Sequence, residues 1–191
     1  MSISYYDQNA QSYFDSTVLA DMQDLRDRFL KYVRLGGTIL DAGCGSGRDA
    51  KAFADAGYPV VAFDASAEIV QLAKQFTGLP ILNMRFEDME WEDRFDGIWA
   101  SASLLHVPRV ELQRTFERFA RALSKGGVWC LSMKQGEATR EVEGRTFTDV
   151  TETELRELLE AAGLSVLEIW LTSDVRPGRA DRWVNAIARQ P

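Results

Sequence analysis

The chain has 191 residues, 46% hydrophobic and 27% charged, with 22 basic against 29 acidic side chains. That length fits one α/β domain able to bury most of its unfolded surface, and no apolar run approaches the ~20 residues a membrane span needs. A net charge of −7 opposes a nucleic-acid partner, and two cysteines with one histidine leave neither a disulfide framework nor a zinc cluster.

Residues 1–35 are expected to form a helical cap or lid on a core spanning 36–191, the whole making a single domain. The N-terminus MSISYYDQNAQSYFDS is polar and acidic, unlike a secretory leader, so cytoplasmic location is the default expectation. Its tyrosines precede a helix whose apolar stripe is Met22, Leu25, Phe29 and Val33. Gly36 and Gly37 end that helix and release a first strand through Thr38, Ile39 and Leu40. Gly43, Gly45 and Gly47 then permit a turn against which a ligand can lie, and Ala50, Phe53 and Ala54 follow at helical spacing. The helix start favours anions or polar oxygens.

A second strand runs from Pro59 to Asp64, and Ser66 is placed to cap a helix through Ile69, Val70 and Ala73 to Phe76. Third and fourth strands are expected at about Leu79 to Met84 and Phe95 to Ser101. A helix carrying Leu112, Phe116, Phe119 and Leu123 follows Pro108. Gly126 and Gly127 turn the chain into a fifth strand, VWCLSMK, after which Gln135 to Val150 has no periodicity and reads as irregular. Thr151 opens a helix with Leu155, Leu158, Leu159 and Ala162. A strand from Leu164 to Thr172, a Pro177-Gly178 turn and a last strand from Arg182 to Arg189 complete the order. Alternating strands and helices predict a doubly wound α/β fold. Trp99, Trp129, Trp170 and Trp183 fall on strands and are expected in the core; Cys44 and Cys130 are expected unbonded, with Cys44 a small buried filler.

The glycine turn first suggests a dinucleotide site, but Arg48 stands where G-x-G-x-x-G needs its third glycine. The spacing is G-x-G-x-G, and Asp64 at the tip of the second strand can take both ribose hydroxyls. Asp41, Gly43, Gly45, Gly47 and Asp64 together resemble the class I S-adenosylmethionine-dependent methyltransferases, whose first motif is an acid followed by G-x-G-x-G and whose second is the ribose-binding acid. The resemblance covers nearly the whole chain. It implies a Rossmann-like seven-stranded, mostly parallel sheet with an antiparallel last strand and helices on both faces. It also implies S-adenosylmethionine as cofactor and S-adenosylhomocysteine as product. The segments YYDQNAQSYF and GCGSGRD are most similar to the small tellurite-resistance-type branch.

On that resemblance Asp41, Gly43, Cys44, Gly45, Gly47, Asp64 and Ala65 bind the cofactor. Phe86 and Glu87 align with the adenine contacts, and Ala100 and Ser101 lie beside the methionine portion. Arg85 departs from the pattern, since members often carry an acid there. Arg48 has two expected partners, the cofactor carboxylate or Asp49. Tyr13, with Tyr5 and Tyr6, is expected to fold over the sulfonium cation, an interaction worth ~0.5–2 kcal/mol, and Tyr5 and Tyr6 are also expected to contact the acceptor. Displacement at that methyl depends mainly on alignment and desolvation.

His106 follows the fourth strand, where a general base would serve, although a lone histidine after Leu104 and Leu105 also reads as a hydrogen-bonded structural residue. Lys134, Arg140, Arg145, Arg176 and Arg179 lie on loops opening toward the same sheet edge. They either recognise a carboxylate or phosphate on the acceptor or, with the interleaved Glu137, Glu141, Glu143 and Asp174, form a solvated surface. The expected function is methyl transfer to a small molecule, anionic if those arginines take part. No metal, nucleic acid, membrane or obligate protein partner is expected. The alternatives are a NAD-type oxidoreductase and a non-catalytic cofactor-binding domain.

Overall fold

In the computed structural model, which describes residues 2–175, 178 and 180–191, a seven-stranded sheet is built around β1 (Ile39–Ala42). The parallel part also contains β2 (Val60–Asp64), β3 (Leu82–Asn83), β4 (Phe95–Ser101) and β5 (Leu123–Lys134). The hairpin strands β8 (Ser165–Ser173) and β9 (Arg182–Arg189) complete it, in the order β3-β2-β1-β4-β5-β9-β8. β9 enters antiparallel between β5 and β8, with Cys130 opposite Ile187 on one side and Glu168 opposite Ile187 on the other. The expected architecture is therefore present, including the antiparallel strand.

Side chains alternate between the sheet faces, as the pleat requires. Leu40, Ile98, Ala100, Trp129 and Ala186 pack against α6 (Leu112–Ala122) and α7 (Glu152–Ala161) on one face. Ile39, Trp99, Val128, Cys130 and Ile187 meet Phe29 and Phe53 on the other, where α3 (Gln23–Leu30) and α4 (Arg48–Asp55) lie. α5 (Ala67–Thr77) adds Val70 and Ala73 to a smaller cluster beside β2. Strands buried on both faces are the reason their sequences read as nearly continuous apolar runs. Ser66 accepts a hydrogen bond from Ile69 N at the start of α5, and Thr151 does the same for Glu154 N at the start of α7.

Four expectations need correction. The helix read through Met22 and Val33 is only α3, which leaves both residues outside it, and two more helices precede it, α1 (Ser2–Gln8) and α2 (Ala10–Thr17), with Ala10 their buried residue. β3 is two residues long, because Leu82 and Asn83 are exposed at the sheet edge. The stretch read as irregular contains a separate hairpin, β6 (Thr139–Val142) and β7 (Arg145–Thr148). Glu143 and Gly144 turn it with φ +52° and +74°, the left-handed pair a tight two-residue turn requires, while exposure of β6 on both faces erased the alternation. Trp99 and Trp129 are fully buried as expected, but Trp170 and Trp183 are only partly so, Trp170 lying beneath the Arg28 guanidinium at 3.9 Å. The Pro177 turn lies outside the described residues. Both cysteines are free and buried. Among the described residues no helix is long and apolar enough to cross a membrane.

Candidate active site

Strand order reverses between β1 and β4, so the loops leaving their carboxyl ends diverge and open a crevice. Gly43, Gly45 and Gly47 line it with φ of +74°, +54° and +78°. Each position is also too crowded for a side chain. A Cβ would come within 2.5 Å of Ser103 at Gly43, 2.9 Å of the Tyr13 hydroxyl at Gly45 and 2.6 Å of Thr77 at Gly47. Asp64 at the end of β2 spans the loop and the next helix, accepting from Gly45 N and from Ser66 N at 3.0 Å each. A carboxylate has about four acceptor sites, so both oxygens retain capacity for ribose hydroxyls. Burial nonetheless raises its pKa against those backbone bonds.

Four amides of the loop ahead of the helix are already engaged. Gly43 N and Cys44 N both bond the Phe63 carbonyl, Gly45 N bonds Asp64, and Gly47 N bonds the Cys44 carbonyl. The acceptor the site offers is the Asp64 carboxylate, suited to ribose hydroxyls. That chemistry fits the ribose of S-adenosylmethionine.

Beneath the loop lie two buried acids. Asp41 is 2% exposed, and its Oδ2 has no hydrogen-bond partner; burial and then the nearby Asp49 charge hold its pKa well above the carboxylate range. Asp49 instead is saturated. Arg26 donates to its Oδ1 at 2.8 Å, Arg48 reaches both oxygens at 3.1 and 2.6 Å, and Trp99 Nε1 donates to Oδ2 at 3.1 Å. Of the two partners expected for Arg48, Asp49 is the one it contacts, together with the Thr17 carbonyl at 3.1 Å. Burial pushes the Cys44 thiol far above its ordinary pKa, which leaves it inert as a nucleophile.

The N-terminal helices bring the tyrosines over this loop. Tyr13 covers Gly45, and its ring meets Tyr6 edge-on with centroids 5.0 Å apart. The Tyr6 hydroxyl lies 2.7 Å from Nε2 of His106, whose Nδ1 lies 2.7 Å from the Thr146 carbonyl. A carbonyl can only accept, so Nδ1 carries the proton and Nε2 presents its lone pair to Tyr6. Burial, reinforced by the charges of Arg145 and Lys134, lowers the His106 pKa to about 4. The imidazole is neutral at physiological pH and a weak base.

The remaining expected residues are distributed as follows. Phe86 packs on Phe63 and Phe119 in the loop after β3 with its ring edge toward Gly43, whereas Glu87 is exposed and 3.7 Å from Arg85. Ala65 gives its carbonyl to Asn83. Ala100 points into the core, so only its backbone can meet a ligand, while Ser101 is half-exposed beside Ser132. Arg140 forms a two-bond pair with Asp149. Arg145 pairs with Glu143 at 3.0 Å and stacks 4.1 Å over Tyr5. Lys134 bonds Asp181 at 2.9 Å. Arg176 and Arg179 lie outside the described residues. Sequence reasoning missed Ser103, Asp7 and Thr146. Ser103 donates to the Ala42 carbonyl, Asp7 accepts from Ser66 at 2.6 Å, and Thr146 orients His106. Each acts across a large sequence separation, so no local pattern marked it.

Residues 14–169 match the methyltransferase domain family, and the chain belongs to that family, whose cofactor is S-adenosylmethionine. It is 27% identical over 160 residues to a 2-heptyl-1-hydroxyquinolin-4(1H)-one methyltransferase of Mycobacteroides abscessus, covering 80% of this chain and 66% of that protein. Its fold is similar to that of Burkholderia thailandensis 1,6-didemethyltoxoflavin-N1-methyltransferase, solved with 1,6-didemethyltoxoflavin and S-adenosylhomocysteine bound. That match has a TM-score of 0.78 and 24% identity, and covers 99% of this chain and 85% of the other. The magnesium protoporphyrin IX methyltransferase of Synechocystis, solved with S-adenosylmethionine, superposes with a TM-score of 0.77 at 17% identity over 100% of this chain and 95% of that one.

Proposed function

We propose that this chain is a cytoplasmic S-adenosylmethionine-dependent methyltransferase acting on a small-molecule acceptor with acidic or anionic character. The observation that carries the cofactor is Asp64 at the tip of β2, held against the glycine loop by its bonds from Gly45 N and Ser66 N. When bound, the cofactor supplies an electrophilic methyl group on a cationic sulfur. Asp64 would hold its ribose hydroxyls and the Gly43 to Gly47 backbone its methionine portion, with Phe86 beside the adenine. Tyr13 would exclude water and face the cation with its ring. Arg145 and Lys134 supply the positive field expected for an acidic acceptor, and their charges act on His106. Relatives that methylate a hydroxyquinolone and a toxoflavin precursor support a flat heterocyclic acceptor.

Within this reading, residues 1–35 act as a lid on a single domain, and YYDQNAQSYF with GCGSGRD supports kinship with the tellurite-resistance-type branch. The test is calorimetric titration. Wild type is expected to bind S-adenosylhomocysteine and not NAD, and Asp64→Ala to lose at least tenfold in affinity, the worth of about one charge-assisted hydrogen bond. NAD binding without adenosylhomocysteine binding would overturn the assignment.

A further inference from the structure

We infer that Tyr6 is a tethered stand-in for the acceptor, and that the acceptor is a planar aromatic molecule whose acidic hydroxyl is received between Nε2 of His106 and the guanidinium of Arg145. The inference rests on the methyltransferase reading and narrows its acceptor to one chemical class.

The two receiving groups make opposite demands. Because Thr146 fixes the proton on Nδ1, the Nε2 lone pair needs a donor, and Tyr6 supplies one at 2.7 Å. Arg145 needs an acceptor. Its Nε is buried without a hydrogen-bond partner among the described residues, and its carboxylate partner Glu143 has a side chain 66% exposed, where the pair is screened. Burial raises the Tyr6 pKa overall, while the guanidinium beside its hydroxyl acts in the opposite direction, toward the ionised oxygen. A carboxylate, or a phosphate in its doubly ionised form, could satisfy Arg145 but would have no proton for Nε2. A protonated amine would be repelled by Arg145 and find only Nε2. A hydroxyl satisfies both, and one whose oxygen tolerates negative charge satisfies Arg145 best.

The walls then select the rest of the molecule. Tyr6 meets Tyr5 at 5.6 Å, Tyr13 at 5.0 Å and His106 at 5.4 Å, all edge to face, and His106 in turn meets Phe147 at 5.0 Å. That geometry is made for a flat ring and is filled by one. The ring belongs to α1, a seven-residue helix with no buried residue. Beyond the contacts of Tyr6, it is tied by hydrogen bonds from Thr146 N to Ser2 Oγ, from Tyr5 to Glu143, from Ser66 to Asp7 and from Asn9 Nδ2 to the Tyr5 carbonyl. So slight an attachment lets a free hydroxyarene exchange with the tethered one.

The experiment uses the full chain saturated with S-adenosylhomocysteine and compares 4-methylphenol with toluene by NMR titration. Tyr6→Ala is expected to bind 4-methylphenol at least tenfold tighter than toluene, and at least tenfold tighter than wild type binds it. Adding Arg145→Met should remove the preference for the hydroxyl. Tyr6→Phe, which leaves no gap in the packing, is expected to bind 4-methylphenol several-fold tighter than wild type, because its ring gives up the bond to His106. Equal affinity of Tyr6→Ala for the two probes, or equal affinity of wild type and both variants for 4-methylphenol, would overturn the inference. If wild type fails to bind S-adenosylhomocysteine, the methyltransferase reading fails instead, so the two failures are distinct.

Discussion

His106 titrates in the folded protein at about 4, against 6.5 for an unperturbed imidazole, so the sign of its effect on stability is fixed. Above pH 6.5 it is neutral whether the chain is folded or not, and contributes nothing to pH dependence. Between 6.5 and 4 the unfolded chain binds a proton that the folded chain refuses, so stability falls as pH falls. The full loss is about 3 kcal/mol. Urea unfolding at pH 7 and pH 4.5 should show His106→Gln with a flatter decline than wild type; parallel declines would place the imidazole in solvent. The histidine and the Tyr6 side chain were both visible in the sequence as candidates. Their pairing was not, because 100 residues separate them and the carbonyl that orients the imidazole lies on the hairpin read as irregular. The cofactor side was more legible. Glycines with positive φ and an acid at a strand tip are dictated by local backbone geometry, which a short motif can express.

Two helices begin with side-chain caps of the same kind and differ in what else the cap holds. Thr151 serves α7 alone, whereas Ser66 accepts from Ile69 N and donates to Asp7 of α1. Replacing either with Ala should cost about 1 kcal/mol, which for a chain of this size lowers Tm by roughly 2–4 °C. Only Ser66→Ala should also loosen α1. Chymotryptic cleavage in the connection from Val18 to Met22, where Leu19 is 89% exposed, should quicken in Ser66→Ala and stay unchanged in Thr151→Ala. Unchanged cleavage in both would show that Asp7 does not hold the helix down. The sequence marked both caps through their position before apolar runs. It could not mark the second bond of Ser66, which depends on how α1 folds back.

At the scale of the molecule, strand order and the two-faced core followed from alternation of element types, since each β-branched or aromatic run must be covered on both sides. What alternation did not express is how the layers are tied. Asp49, in α4, joins that helix to α3 through Arg26 and to the sheet through Trp99 of β4, with Arg48 of α4 beside it. With Asp49, Arg26 and Arg48 only 6%, 13% and 20% exposed, removing the carboxylate would strand two cations and an indole N–H. Asp49→Ala is expected to cost about 3 kcal/mol or more, lowering Tm by roughly 6–12 °C. A shift under 2 °C by calorimetry would mean that water replaces the carboxylate at little cost.

The Trp99 bond to Asp49 also gives the protein a built-in optical probe. The indole is 1% exposed, and its N–H ends on a carboxylate that shares Arg48 with the turn after Gly47. Emission from a buried indole responds to the local electric field. Any rearrangement of the glycine loop that pulls on Arg48 alters that field before it alters the fold. Subtracting the spectrum of Trp99→Phe isolates this signal from the other four tryptophans. Loop events then become observable on the timescale of fluorescence mixing, with no label attached.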